Sequence, residues 1–261
     1  QLLGYDVPVR TASPGDVVKV ALYWRATEDV NRDYVVSLLL NDANQEPKVE
    51  QQGRPVDDTY PTTEWDKGEV LRDWHDLRLP ADTPPGNYEL LLQVLEEGKT
   101  IGQTSLGRVE VRGRPHHFVV PGIQQPLEAR LGDTLLLLGY DLSSEDVKPG
   151  EALHLTLYWQ ALQEMGVSYT VFTHLLDASE RTWGQMDSIP QLGEAPTTSW
   201  VPGEVIADEY DIFVDAGAPP GDYVIEIGMY DATTGRRLLV SIDGQLLEGD
   251  RLVLGRIQVL P

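Results

Sequence analysis

From Val18 to Trp24 apolar and polar positions alternate, with Val18, Val20, Leu22 and Trp24 in one phase and Lys19 and Ala21 in the other. A period of two is the side-chain repeat of an extended chain, so the stretch predicts a strand with one face buried. Tyr34, Val36, Leu38 and Leu40 repeat the pattern, as do Tyr88, Leu90, Leu92 and Val94. No long stretch combines helical spacing with capping signals, and Pro/Gly turns recur at short intervals. The pattern therefore predicts an all-β chain.

The alternation is also written twice. Leu2-Leu3-Gly4-Tyr5-Asp6 recurs as Leu137-Leu138-Gly139-Tyr140-Asp141, an offset of 135 residues. The same shift carries Leu22-Tyr23-Trp24 onto Leu157-Tyr158-Trp159, Pro61-Thr62-Thr63 with Trp65 onto Pro196-Thr197-Thr198 with Trp200, and Pro84-Pro85-Gly86 with Tyr88 onto Pro219-Pro220-Gly221 with Tyr223. A period this long is a duplicated domain rather than a solenoid repeat.

Phases that stay apolar in both copies mark the core, and those that drift, such as Lys19 to His154 and Ala21 to Thr156, mark the solvent face. Each copy yields about seven strands, the count of an immunoglobulin-like sandwich. The Gly-x-Tyr after Pro-Pro resembles the corner of such folds, in which a tyrosine hydroxyl binds nearby backbone. Two tandem Ig-like β-sandwiches are the predicted architecture, with a jelly roll as the alternative.

The copies diverge after Leu95 and Tyr230 and rejoin at Leu106-Gly107-Arg108 and Leu254-Gly255-Arg256, so copy two carries 13 extra residues. Thr234-Gly235 and Asp243-Gly244 within 231–249 predict an added hairpin. Copy two also has a lead-in over Leu127–Leu136 that copy one would need before residue 1, which predicts that copy one lacks its first strand. Residues 113–126 are punctuated by Pro and Gly and read as a linker. The expected domains are 1–120 and 121–261.

Composition narrows the partners. Twenty Lys and Arg against 42 Asp and Glu give a net charge of −22, which disfavours nucleic acid and anionic lipid and favours neutral or cationic partners. With no cysteine, disulfides, thiolate metal sites and a cysteine nucleophile are excluded. No apolar run has the length of a spanning helix. A chain starting at Gln1 without a signal-like segment suggests a fragment or a processed product.

Little catalytic chemistry stands out. The histidines are 75, 116, 117, 154 and 174, none spaced as a helical metal pair, and His116 and His117 read as solvated linker residues. Gly102–Gly107 misses the Gly-x-Ser-x-Gly spacing by one residue, and Gly98-Lys99-Thr100 lacks the first glycine of a P-loop. Asp73 with Asp76 recurs as Asp208 with Asp211; residues three apart on a strand face opposite ways, so the pairs read as turn or edge-strand solvation. Asn41-Asp42-Ala43-Asn44 and Asp177 read as hairpin turns rather than a calcium loop. No catalytic residue, metal or cofactor is expected.

Aromatic rings that differ between the copies are the better binding candidates. Trp24, Trp65, Trp159 and Trp200 occur in both and read as packing residues, whereas Trp74 faces Glu209 in the alignment and Trp183 replaces Lys48. Trp74, Trp183 and Tyr60 are the candidate ligand-binding residues, as platforms for sugar faces or apolar ligands.

The string Leu-Leu-Gly-Tyr-Asp, the Leu157-Tyr-Trp-Gln-Ala161 run, Tyr169 to Asp177, Trp200-x-Pro-Gly-Glu-Val and Pro-Pro-Gly-Asp-Tyr223 resemble a β-sandwich module of the C-terminal, extracytoplasmic region of bacterial membrane-bound glycosyltransferase-like proteins of the mannosyltransferase type. The likeness covers nearly all of copy two and, more loosely, copy one. It implies a non-catalytic accessory or interaction module outside the cytoplasm, whose partner is a glycan or another protein. It transfers no catalytic residue, because the transfer chemistry of such proteins sits in their membrane portion. A carbohydrate-binding module is the alternative implied by that context.

Overall fold

The structure, a computed structural model, describes residues 1–56 and 59–261. It is all-β, with 3-10 turns and no α-helix among the described residues, and so no helix there is long and apolar enough to cross a membrane. The chain divides into two compact units, Gln1–Arg114 and Pro115–Pro261, and each is a β-sandwich around its own hydrophobic core.

In unit 1 the strands are β1 (Leu2–Asp6), β2 (Thr11–Ala12), β3 (Val17–Arg25), β4 (Tyr34–Asn41), β5 (Pro47–Gly53), β6 (Val70–Arg78), β7 (Gly86–Glu96) and β8 (Lys99–Val111). One sheet has the order β1-β3-β6 and the other β2-β8-β7-β4-β5. Unit 2 contains β9 (Gln125–Leu131), β10 (Leu135–Leu142), β11 (Asp146–Val147), β12 (Ala152–Ala161), β13 (Tyr169–Asp177), β14 (Thr182–Ser188), β15 (Val205–Phe213), β16 (Gly221–Asp231), β17 (Val240–Ile242), β18 (Gln245–Leu246) and β19 (Leu252–Val259). Its sheets run β15-β12-β10-β9-β17-β18 and β11-β19-β16-β13-β14.

The five-stranded sheets of the two units thus match strand for strand, while the other sheet grows from three strands to six through β9, β17 and β18. Asp243 and Gly244 make the two-residue turn between β17 and β18 with φ of 50° and 76°. Both lie in the left-handed region that a type I′ hairpin turn requires. Val240 of β17 then pairs with Leu131 of β9, so the inserted segment extends the sheet that β9 begins.

The alternating apolar phase is the core: Val20, Leu22, Leu38, Leu90, Leu155, Leu157, Ile225 and Ile227 are fully or almost fully buried. Ala21 departs from the reading, since it lies on the other phase and is also buried. Its register places it between Asp6 and Trp74 on the flanking strands, whose longer side chains shield a methyl group. The tyrosine corners form in both units: the Tyr88 hydroxyl donates to the Pro84 carbonyl at 2.7 Å and that of Tyr223 to Pro219 at 2.8 Å. Residues 115–117, read as linker, pack into unit 2. The His117 carbonyl accepts from the Val205 amide at 2.7 Å, and His116 Nδ1 lies 2.8 Å from a carboxylate oxygen of the buried Glu204.

One glycine makes the six-stranded sheet possible. Gly139 has φ of 145°, and a Cβ there would lie 2.4 Å from the Gln125 carbonyl oxygen and 2.9 Å from Pro126 Cα, both in β9. Backbone cannot be displaced as a flexible side chain can, so β9 crosses β10 at this point only over a glycine. Gly139→Val is expected to detach β9 and to lower the stability of unit 2 by ~3 kcal/mol or more, from strain and overpacking together. Urea unfolding, with hydrogen exchange reporting on Gln125–Leu131, checks both effects.

Candidate functional site

β6 is an edge strand that carries two sets of side chains. Arg72, Trp74, Asp76 and Arg78 point outward and are exposed, whereas Asp73, His75 and Leu77 point inward and are buried. Trp24 Nε1 donates to Asp73 Oδ2 at 3.0 Å, His75 Nε2 lies 2.8 Å from the same oxygen, and the Val56 amide donates to Oδ1 at 2.8 Å. Unit 2 repeats the arrangement. Trp159 Nε1 and the Tyr210 hydroxyl donate to Asp208 Oδ2 at 3.3 and 2.6 Å, and the Gln191 amide donates to Oδ1 at 2.7 Å. Asp73 and Asp208 are therefore core acceptors for buried tryptophans. The solvation read for the aspartate pairs holds only for the exposed Asp76 and Asp211. In unit 2 burial pushes the Asp208 carboxyl above its ordinary value, and burial with the neighbouring Asp208 charge pushes the Tyr210 hydroxyl well up.

Two cavities open on unit 1. The first, about 540 Å³, lies beside Trp74 and is lined by Lys19, Gln51, Gln52, His75 and Asp76 from β3, β5 and β6. Gln51 Oε1 is buried and has no hydrogen-bond partner among the described residues. A buried acceptor is satisfied at modest cost only by a donor beside it, and the cavity gives this oxygen room for one. The counterpart of Gln51 is Met186, an apolar side chain packed on the core of unit 2.

The second cavity, about 460 Å³, lies where β1 and β8 leave the other flank of the sandwich open, with Trp24, Tyr34, Val36, Trp65, Leu92 and Val94 in its lining. In unit 2 the corresponding end is filled by Leu131, Leu135, Met165, Val240 and Leu252, all in the core. The tryptophans record the difference: Trp24 and Trp65 are 8% and 7% exposed, Trp159 and Trp200 0%.

The three aromatic residues singled out from sequence do not form one site. Trp74 is exposed at the first cavity, with the Arg72 guanidinium 4.3 Å from its ring centroid. Tyr60 lies in the same unit but is engaged elsewhere. Its hydroxyl donates to the Glu64 carbonyl at 2.8 Å, lies 3.1 Å from Glu69 Oε2, and its carbonyl receives Trp65 Nε1.

Trp183 belongs to unit 2 and is held by the β13–β14 turn. Its Nε1 donates to Asp177 Oδ2 at 2.7 Å, and the Arg181 guanidinium covers the ring at 3.9 Å. The Ser179 hydroxyl, Trp183 Nε1 and the backbone amides of Arg181 and Ser179 all donate to Asp177 and hold its carboxyl well below the usual range. At the matching place in unit 1 Lys48 pairs with Asp42, so Trp183 replaces a lysine in anchoring a turn. Among the described residues no group of three or more His, Asp or Glu side chains is placed to hold a metal ion.

The sequence reading missed Gln51, whose significance depends on which residues β3 and β6 bring beside it. The only signal was its replacement by methionine in copy two. Compared with known proteins, the chain matches no family model and no curated protein.

The buried Asp208 gives a test of the core arrangement by pH. Its carboxyl titrates above the ordinary 3.8, so between that pH and the raised value the folded state keeps a proton that the unfolded chain has released. The contribution of this group to stability therefore falls as pH rises from 3.8 through the raised value. In Asp208→Asn this contribution is removed, and the stability gap between wild type and variant is expected to narrow as pH rises across that window. Urea unfolding at a series of pH values measures the gap; one that widens overturns burial as the governing cause.

Proposed function

We propose that the chain is a non-catalytic interaction module, displayed outside the cytoplasm, in which unit 2 is the closed scaffold and unit 1 the binding unit. The observation that carries this reading is the cavity of about 460 Å³ on unit 1, whose lining combines Trp24, Tyr34 and Trp65 with Arg25, Glu28 and Asp29. A concave surface that brings aromatic rings together with a few polar groups is a binding signal. We read the sandwiches as Ig-like, supported by the two tyrosine corners and the matching five-stranded sheets. The extracytoplasmic placement and the association with a glycosyltransferase-like protein rest on the sequence resemblance.

A second reading has its own observation. The cavity beside Trp74 combines an exposed indole with Gln51, Gln52, Asp76 and Lys19, the mixture of ring platform and planar polar groups that suits a carbohydrate. The first reading expects a polypeptide partner and no retention on a glycan array. Glycan retention that Trp74→Ala and Gln51→Met each weaken by roughly tenfold, about the loss of one stacking or buried hydrogen-bond contact, would replace it with the second.

A further inference from the structure

Each unit has a seam where the end strand of one sheet passes the end strand of the other, β14 against β15 in unit 2 and β5 against β6 in unit 1. Unit 2 ties this seam shut with its own amides. The Asp215 amide donates to the Trp183 carbonyl at 2.6 Å, and Gln191 Nε2 donates to the Ala207 carbonyl at 3.0 Å. Beside the first tie β14 runs so close to β15 that a Cβ on Gly184 would lie 2.8 Å from the Phe213 carbonyl oxygen.

The 135-residue offset puts Pro80 at the place of Asp215, Val56 at that of Gln191 and Val49 at that of Gly184. Proline has no N–H to donate, and valine has no side-chain amide. A valine side chain also excludes the approach that Gly184 permits. None of these closures can form in unit 1, and the seam stands open there as the cavity of about 540 Å³ beside Trp74. It lies at the edge of the sheet away from β1.

The open seam is short of donors. The carbonyls of Lys48 and Arg72 correspond to those of Trp183 and Ala207 and have no such amide to bond them. Gln51 Oε1 is buried without a partner among the described residues, where unit 2 has the apolar Met186. Charge does not select the occupant, since Lys19 faces Asp76 in the register of β3 and β6, and Arg54 Nε lies 2.8 Å from Asp33 Oδ2. What the seam lacks is an uncharged N–H, the group that closes it in unit 2, and the exposed Trp74 indole supplies an apolar wall beside it.

We propose that the β5–β6 seam of unit 1 binds an uncharged, extended segment of another polypeptide, whose main-chain amides donate to Gln51 and the seam carbonyls while an apolar side chain packs on Trp74. The inference rests on reading unit 1 as the binding unit for a polypeptide and names the groups that hold that partner. In an extended chain the N–H groups on one side recur every second residue, which suits acceptors strung along a strand edge. A carbohydrate would bring hydroxyls to the same cavity and is the competing occupant.

The test uses the full chain and two probes, a capped tripeptide (N-acetyl-Ala-Phe-Ala methylamide) and its analogue in which the amide after phenylalanine is an ester. The probes differ by one N–H donor. The tripeptide is expected to bind saturably and to shift the NMR signals of the Trp74 indole and the Gln51 side-chain amide. The ester is expected to bind at least about fivefold more weakly, because a buried acceptor is left without its donor. Gln51→Met, which installs the residue of unit 2, and Trp74→Ala are each expected to unfold in urea as wild type does and to weaken tripeptide binding at least about fivefold.

Equal affinity for the tripeptide and the ester overturns the proposal, as does the absence of saturable tripeptide binding. Saturable binding that moves the signals of other residues and not those of Gln51 and Trp74 overturns the seam while leaving the interaction-module reading intact. Methyl β-glucoside that moves these two signals in preference to the tripeptide assigns the cavity to a carbohydrate and overturns both.

Discussion

A β-sandwich is stable only when its strand edges and the gap between its two sheets are dealt with, and here both are governed by how β9 lies on β10. The carbonyl of Gln125 passes so close to Gly139 that no side chain can stand there. That approach delivers Ala129 and Leu131 into the core and supplies the edge on which Val240 pairs. The inserted hairpin has no sheet to extend without β9. The closed end of unit 2, the full burial of Trp159 and Trp200, and the six-stranded sheet all follow from one backbone contact. Unit 1 keeps the glycine without the contact, and its tryptophans stay slightly open.

The second shared device works from inside. Each unit buries an aspartate whose oxygens accept an indole N–H from the neighbouring strand and a backbone amide from the segment that precedes the Pro-Thr-Thr turn. An isolated buried charge would be costly, but three directed donors compensate much of the lost hydration. The carboxylate thereby ties the edge strand to β3 or β12 and fixes where the following segment crosses. The third donor differs, a histidine in unit 1 and a tyrosine in unit 2, at the same inward position of the edge strand. Substituting one donor for another preserves the tie, which is why the exchange is tolerated in the core.

Much of the fold was legible because strand alternation and duplication reinforce each other. Val20, Leu22, Leu155 and Leu157 could be assigned to the core from period and repetition, and Asp243-Gly244 could be assigned to a hairpin from its backbone preference alone. What escaped depends on neighbours that sequence spacing does not specify. Asp73 looked like edge solvation because carboxylates usually face water; its burial follows from a tryptophan 49 residues away supplying a donor. His116 looked like a solvated linker residue, and its partner Glu204 is 88 residues distant. Ala21 is shielded by cross-strand neighbours rather than by its own strand face. Trp183 stood out as an unpaired difference between the copies, yet its indole and Lys48 do the same work on the turn aspartate, so the difference is one of chemistry and not of role.

The comparison of the copies therefore has to be made at the level of interactions. Where two unlike residues satisfy the same partner, as Trp183 and Lys48 do, divergence says little about binding. Where like residues meet unlike surroundings, identity becomes the informative case. Gly4 and Gly139 are the same residue in the same bulged strand start, one beneath a neighbouring backbone and one beneath open space. Gln51 and Met186 are the converse, with an unsatisfied oxygen at a cavity in one unit and an apolar side chain against the core in the other. The second contrast lies at the Trp74 cavity of unit 1 and supports the binding role proposed for it. In this chain the openings of unit 1 are a mixed cavity lined by Trp24 and Trp65 and a polar one bordered by an exposed indole.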